Sequence, residues 1–226
     1  MIATALAQVR ARIERAALAA GRDPAQVKLV AVSKTKGPDL VRKAYAAGQR
    51  AFGENYAQEL AAKAPALADL PDIEWHFIGH LQTNKARVVA AHAHVVHTVD
   101  SAAVARELGK RVARELRAAP MPVLVEVNVG GEAQKAGAAP GDIEEVVRAV
   151  HEQPSLVVRG LMTMPPAGDP AAARRVFETL ATLRNLHGGP ALLPELSMGM
   201  SEDLEVAIAC GATIVRVGTA IFGERG

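Results

Sequence analysis

Cysteine is nearly absent from this 226-residue chain, where Cys210 stands alone. A single thiol excludes an internal disulfide and points to a reducing compartment. Aromatic residues make up only 3%, so stacking platforms for nucleobases are scarce. Charge of neither sign dominates, with 26 Lys and Arg against 24 Asp and Glu. That excess is too small and too scattered for a nucleic-acid surface. No apolar run approaches the length that crosses a bilayer. The opening MIATALAQVRARIERAALAAG is interrupted by arginines and lacks the apolar stretch of a secretory signal. A cytoplasmic protein with no membrane or nucleic-acid partner is expected.

Several chemical signatures are missing too. No GxGxxG follows the first strand, and no nucleophile elbow is present. His76 and His80 are four apart, but on a strand and loop. His92, His94 and His97 cluster near a strand without a companion cysteine or carboxylate of fitting spacing. No metal site is expected.

What is present is alternation. Ile2, Leu6, Val9, Ile13 and Ala17 repeat with helical spacing, and Gly21 stops that helix. Val27–Lys34 then reads as a strand buried on both faces. Further strands are expected at 51–55, 73–79, 95–99, 122–129, 156–164, 195–199 and 213–221. Helices are expected between them at 39–47, 56–68, 83–91, 101–118, about 142–150, 170–187 and 201–209. Eight strands alternating with helices is the count of a (β/α)8 TIM barrel, in one domain over residues 1–226. A helix after strand eight is missing from this pattern, and the leading helix is expected to close the ring in its place. A doubly wound open sheet is the competing fold.

A barrel places its chemistry at the carboxyl ends of its strands, and polar residues and glycines gather there. Lys34 follows strand one, Glu54-Asn55 strand two and Gly79-His80 strand three. Asn128 and the glycine-rich loop 130–141 follow strand five. Ser197-Met198-Gly199-Met200-Ser201 joins strand seven to a helix, and Arg216-Val217-Gly218-Thr219 belongs to strand eight. Loops after strands seven and eight commonly bind phosphate in barrels. Met200-Ser201 is expected to offer N–H groups and a hydroxyl at a helix start, and Gly218-Thr219 a second hydroxyl. Taken singly, Ser201 reads equally as a helix cap, Gly218 as a barrel bend and Lys34 as a strand-end lysine reaching for water. Together, a phosphate site and a strand-end lysine suggest pyridoxal 5′-phosphate (PLP), whose aldehyde condenses with an amine to a Schiff base. Arg216, permanently protonated, then suits the pyridine nitrogen, leaving the ring a weak electron sink.

Seven ordered blocks carry a family resemblance: VAVSK at 30–34, FGENY at 52–56, WHFIGHLQTNK at 75–85, VNVGGEAQKAG at 127–137, GLMTM at 160–164, LSMGMS at 196–201 and VRVGTAIFG at 215–223. Together they resemble the pyridoxal phosphate homeostasis protein family, from Val27 to Gly223. The resemblance implies a barrel like the amino-terminal domain of alanine racemase, of fold type III. It implies PLP held on Lys34, phosphate contacts at Ser201, Gly218 and Thr219, and Arg216 near the pyridine nitrogen. It also implies that Asn55 and the Met198-Gly199-Met200 turn line the cofactor. With the strand-end residues His80 and Ser197, these are the expected cofactor contacts. Family members are regarded as carriers or regulators of vitamin B6 and amino-acid pools, with no established reaction.

A fold-type-III racemase needs two acid/base groups, the second a tyrosine from a separate β-domain. This sequence stops after strand eight, and its tyrosines are Tyr45 and Tyr56. Tyr56 is expected to pack rather than to reach the site. The expectation is therefore a monomeric PLP carrier that hands its cofactor to apo-enzymes; a weak or partner-dependent amino-acid racemase is the alternative. Lys135, in the loop 130–141, is expected to attract the phosphate during uptake and release.

Overall fold

The computed structural model describes residues 1–115, 117–132, 136–166 and 168–224. Eight parallel strands close into a barrel in chain order: β1 (Lys28–Val32), β2 (Ala51–Glu54), β3 (Glu74–Phe77), β4 (Val95–Val99), β5 (Met121–Glu126), β6 (Leu156–Met162), β7 (Glu195–Ser197) and β8 (Ile214–Val217). β1 pairs with β2 on one side and with β8 on the other, Val30 lying opposite Arg216. The open doubly wound sheet is thereby excluded.

Strand alternation sorts side chains into two layers. Val30, Ala51, Val95, Leu124, Met162 and Ile214 fill the barrel's interior. Leu29, Ala31 and Phe52, next to them in sequence, and Trp75 and Phe77 of β3 face outward into the layer under the helices. That layer is closed by α1 (Ile2–Ala19), α2 (Pro38–Ala46), α3 (Ala57–Ala66), α4 (Ala86–His92), α5 (Ala102–Val112), α6 (Ile143–His151), α7 (Pro170–Leu186), α8 (Gly189–Leu192), α9 (Leu204–Ala209) and α10 (Thr219–Phe222). The apolar stripe Leu6, Val9, Ile13 and Ala17 of α1 is buried. Through it α1 packs on α9, α10 and α2, closing the ring as its spacing predicts.

The ends of elements depart from expectation, with local causes. The expected strand 213–221 is divided: β8 stops at Val217, and Thr219 begins the one-turn α10, so a short helix does follow strand eight. The expected helix 201–209 starts only at Leu204. Asp203 turns its carboxylate back to accept the N–H of Met200 (2.6 Å), which holds residues 201–203 in a turn instead. Thr83 does not cap a helix; it opens a 3-10 turn, Thr83–Lys85, ahead of α4. α5 stops at Val112, short of the expected Ala118, and α8 was not expected at all. No helix among the described residues is long and apolar enough to cross a membrane.

Candidate functional site

β1 delivers the chain to the carboxyl mouth of the barrel, where Ser33, Lys34 and Thr35 form a turn held on both sides. Ser33 is fully buried and faces outward, toward α3. Its hydroxyl donates to Glu54 Oε1 at 2.6 Å. Lys63 of α3, buried, donates from Nζ to the Ser33 carbonyl (2.7 Å), to Glu54 Oε1 (2.8 Å) and to Glu59 Oε2 (2.8 Å). Glu59 Oε2 also accepts the N–H of Thr35 at 2.8 Å. Thr35 sits at φ +63°, a left-handed conformation rare for a threonine. The strain is held by bonds on either side of Lys34, so the lysine projects from a fixed backbone. Burial pushes the Glu54 carboxyl up, against Lys63, which pulls it down. Glu59 lies below its ordinary range because its bonds to Lys63 and to the Thr35 N–H outweigh its desolvation.

Lys34 lines a cavity of about 590 Å³ at this mouth. Asn55, after β2, lines it too, and its buried amide oxygen has no hydrogen-bond partner. Gly79 allows this position: a Cβ there would stand 1.9 Å from the Asn55 carbonyl oxygen. Across the mouth, Thr219 donates from Oγ1 to Ser201 Oγ at 3.0 Å, which pairs the hydroxyls of the β7–α9 turn and α10. The Ser201 carbonyl is tied from outside by Arg12 of α1 (3.0 Å), itself bonded to Glu205. Gly218 lies between, close against the Val32 carbonyl. Val32, Ile78, Met164, Pro166, Pro170 and Val206 make the apolar walls.

Arg216 closes the cavity floor with 4% of its surface exposed. It donates from Nη1 to Ser197 Oγ (2.6 Å) and from Nη2 to the Thr163 carbonyl (3.0 Å). Burial brings its pKa down to about 10, against the attraction of Glu126 and Asp203, so it stays a cation at neutral pH. Glu126, at the end of β5, is pushed up to about 7 by burial and by Asp100, while Arg216 pulls it down.

Of the expected contacts, Lys34, Asn55, Met200, Ser201, Arg216, Gly218 and Thr219 meet at this cavity. Four do not line it. His80 is exposed and lies 3.4 Å from Asp100. Ser197 is buried beneath Arg216, inside the barrel. Met198 belongs to the core under the helices. Gly199, at φ +95°, packs on α9, where a Cβ would stand 2.5 Å from that of Ala207; its carbonyl accepts the Arg216 N–H. Tyr56 does not line the cavity, and it is half exposed instead of packed. Lys135 lies outside the described residues. Missed in the sequence were the β6–α7 wall and the Ser33–Glu54–Glu59–Lys63 clamp. The only signal of the clamp was Glu59 and Lys63 at helical i, i+4 spacing.

Comparison with known proteins agrees with the architecture. Residues 5–226 match the family model described as alanine racemase, N-terminal domain. The chain is 51% identical over 226 residues to the pyridoxal phosphate homeostasis protein of Pseudomonas aeruginosa, covering 99% of this chain and 96% of that one. It is 43% identical over 231 residues to the protein of that name in Escherichia coli K12, with 99% and 97% covered. Among solved structures, PipY of Synechococcus elongatus with PLP bound superposes with a TM-score of 0.84 at 37% identity, over 99% of this chain and 100% of that one. Alanine racemase of Corynebacterium glutamicum shares the fold, with a TM-score of 0.67 at 21% identity, over 96% of this chain and 61% of that one.

Proposed function

The chain belongs to the alanine racemase N-terminal domain family and, within it, to the pyridoxal phosphate homeostasis proteins, and from that premise we propose that it binds PLP covalently through Lys34, buffers it and hands it on. The observation that carries this reading is the meeting of one lysine, one buried arginine and two paired hydroxyls around a single cavity. The residues fit the group. Ser201 and Thr219, with the N–H groups at the start of α10, suit a phosphate. Arg216, donor only, suits an unprotonated pyridine nitrogen. The unpartnered Asn55 amide oxygen leaves an acceptor for the ring's substituents.

Bound PLP supplies a carbonyl carbon for an amine and an electron sink. The chain's own residues then hold and orient. The clamp around Ser33 and Thr35 fixes the base of Lys34, and Arg12 fixes the turn that carries Ser201. Arg216 stays protonated and does not lend the ring a proton. Neither tyrosine lines the cavity, so its lining does not supply the tyrosine expected as the second acid/base group of a racemase. Storage and release therefore suit the site better than turnover. In this reading the protein acts as a monomer in the cytoplasm and maintains vitamin B6 and amino-acid pools.

Incubating the holo-protein with an apo PLP-dependent enzyme tests this. Transfer of cofactor faster than from free PLP is expected, with no racemisation of common amino acids above the free-PLP rate. Measurable turnover, or retention of PLP throughout, would overturn the carrier reading.

A further inference from the structure

The barrel's interior is not all apolar. A line of polar side chains crosses it from the amino-terminal floor to Arg216. At the floor, Lys28 Nζ lies 3.0 Å from Glu74 Oε2, beside a second cavity of about 350 Å³ lined also by Arg10 and Arg50. Glu74 Oε1 lies 3.4 Å from His76 Nε2. His76 Nδ1 meets His97 Nε2 at 2.8 Å, and His97 Nδ1 meets Ser197 Oγ at 2.8 Å. Ser197 Oγ in turn receives Arg216 Nη1 at 2.6 Å. Both imidazoles and Ser197 are sealed from solvent.

Proton counting gives this line one direction. The arginine only donates, so Ser197 Oγ accepts from it. The serine's own proton then goes to His97 Nδ1. Burial above all, with the neighbouring cations Arg216 and Lys28, holds His97 well below its ordinary range, so it is neutral. With Nδ1 accepting, His97 carries its proton on Nε2 and gives it to His76 Nδ1. The His76 proton then sits on Nε2, facing the Glu74 carboxylate, which that contact and Lys28 hold down at about 2. From Arg216 to His76 Nδ1 every donor has an acceptor; His76 Nε2 makes no hydrogen bond, and its approach to Glu74 is the 3.4 Å charge contact alone.

An added proton on His76 breaks the pattern. His76 then donates from both nitrogens, and His97 must accept at Nε2 and carry its proton on Nδ1. Ser197 Oγ faces two donors, His97 and Arg216, and its own hydroxyl loses its acceptor.

We propose that the His76–His97 pair, acting through Ser197, positions Arg216 and transmits the protonation state of the barrel floor to the cavity. The charged and titratable groups around this line are Lys28 from β1, Glu74 from β3, Glu126 from β5, Glu195 from β7 and Arg216 from β8. His94 and Arg117 stand behind β4. The consequence for PLP rests on the reading of the cavity as its site; the tautomers do not.

Two measurements test the relay. Nitrogen-15 NMR of the unloaded protein near pH 8 should find both His76 and His97 protonated at Nε2; a proton on His97 Nδ1 overturns the proposal. PLP titrations from about pH 8 to about pH 5.5 supply the second. Ser197→Ala should weaken PLP about tenfold near pH 8, the loss of one charge-assisted hydrogen bond. His76→Asn keeps an acceptor for His97 but cannot titrate. Measured against its own affinity near pH 8, it should lose less on acidification than wild type does. Superimposed His76→Asn and wild-type profiles, or an unchanged Ser197→Ala affinity, overturn it. If wild type binds no PLP, the site reading fails and the NMR result alone decides the relay.

Discussion

Lys34 is the residue on which the proposed site depends, and its placement is the work of residues that do not line the cavity. Lys63 carries three hydrogen bonds inside a nearly sealed space. Lys63→Met would leave Glu54 buried without its cation and free the Ser33 carbonyl. A loss of about 3 kcal/mol or more in urea unfolding is expected, together with weaker PLP binding. Glu126 makes a separate prediction. Its folded pKa of about 7 stands above the ordinary 4.5. The fold therefore favours its protonated form, a contribution present below pH 4.5 and lost as pH rises through 7. Glu126→Gln, neutral at every pH, should stabilise the protein on the order of 3 kcal/mol above neutrality and little in acid. Thermal unfolding at two pH values checks the sign. At this scale the sequence exposed the strand-end lysine, the arginine and the hydroxyls, because their types are unusual beside buried strands. Ser197, Met198 and Gly199, expected as cofactor contacts, do not line the cavity. Those residues are contiguous with Met200 and Ser201, but strand alternation and a left-handed glycine send them to other layers. His80 does not line the cavity either, since following a strand end does not place a side chain at the mouth.

Among the elements, the β7–α9 turn decides whether the Ser201 and Thr219 hydroxyls meet at the cavity. Its form depends on Gly199 at φ +95°, pressed against Ala207, and on Asp203 reaching back to Met200. Gly199→Ala should cost about 2 kcal/mol or more in unfolding free energy, since it adds left-handed strain to a steric clash. It should weaken PLP binding as well, because the turn also carries Ser201. Hydropathy patterns located all eight strands and most helices, but not where α9 starts or β8 stops. The late start of α9 reflects a side-chain hydrogen bond from Asp203, which an apolar periodicity does not register. The end of β8 follows from Gly218, where the chain leaves the strand beside Val32 and turns into α10.

At the scale of the molecule, the barrel was legible because each buried strand was punctuated by its own helix. The ring closure by α1 was legible because its apolar stripe needed a partner. The two ends of the barrel hold different chemistry: Lys34, Arg216 and the paired hydroxyls at the carboxyl mouth, and Lys28 with Glu74 at the floor. The polar line between them was hidden in the sequence, since His76, His97 and Ser197 are far apart in the chain and only barrel closure brings them together. The central claim is covalent attachment of PLP at Lys34. Borohydride reduction of the PLP-loaded protein, followed by peptide mass mapping, tests it most directly. A pyridoxyl mass on the peptide containing Lys34, absent in Lys34→Ala, is the predicted result. An unmodified Lys34, or an adduct confined to another lysine, would contradict it.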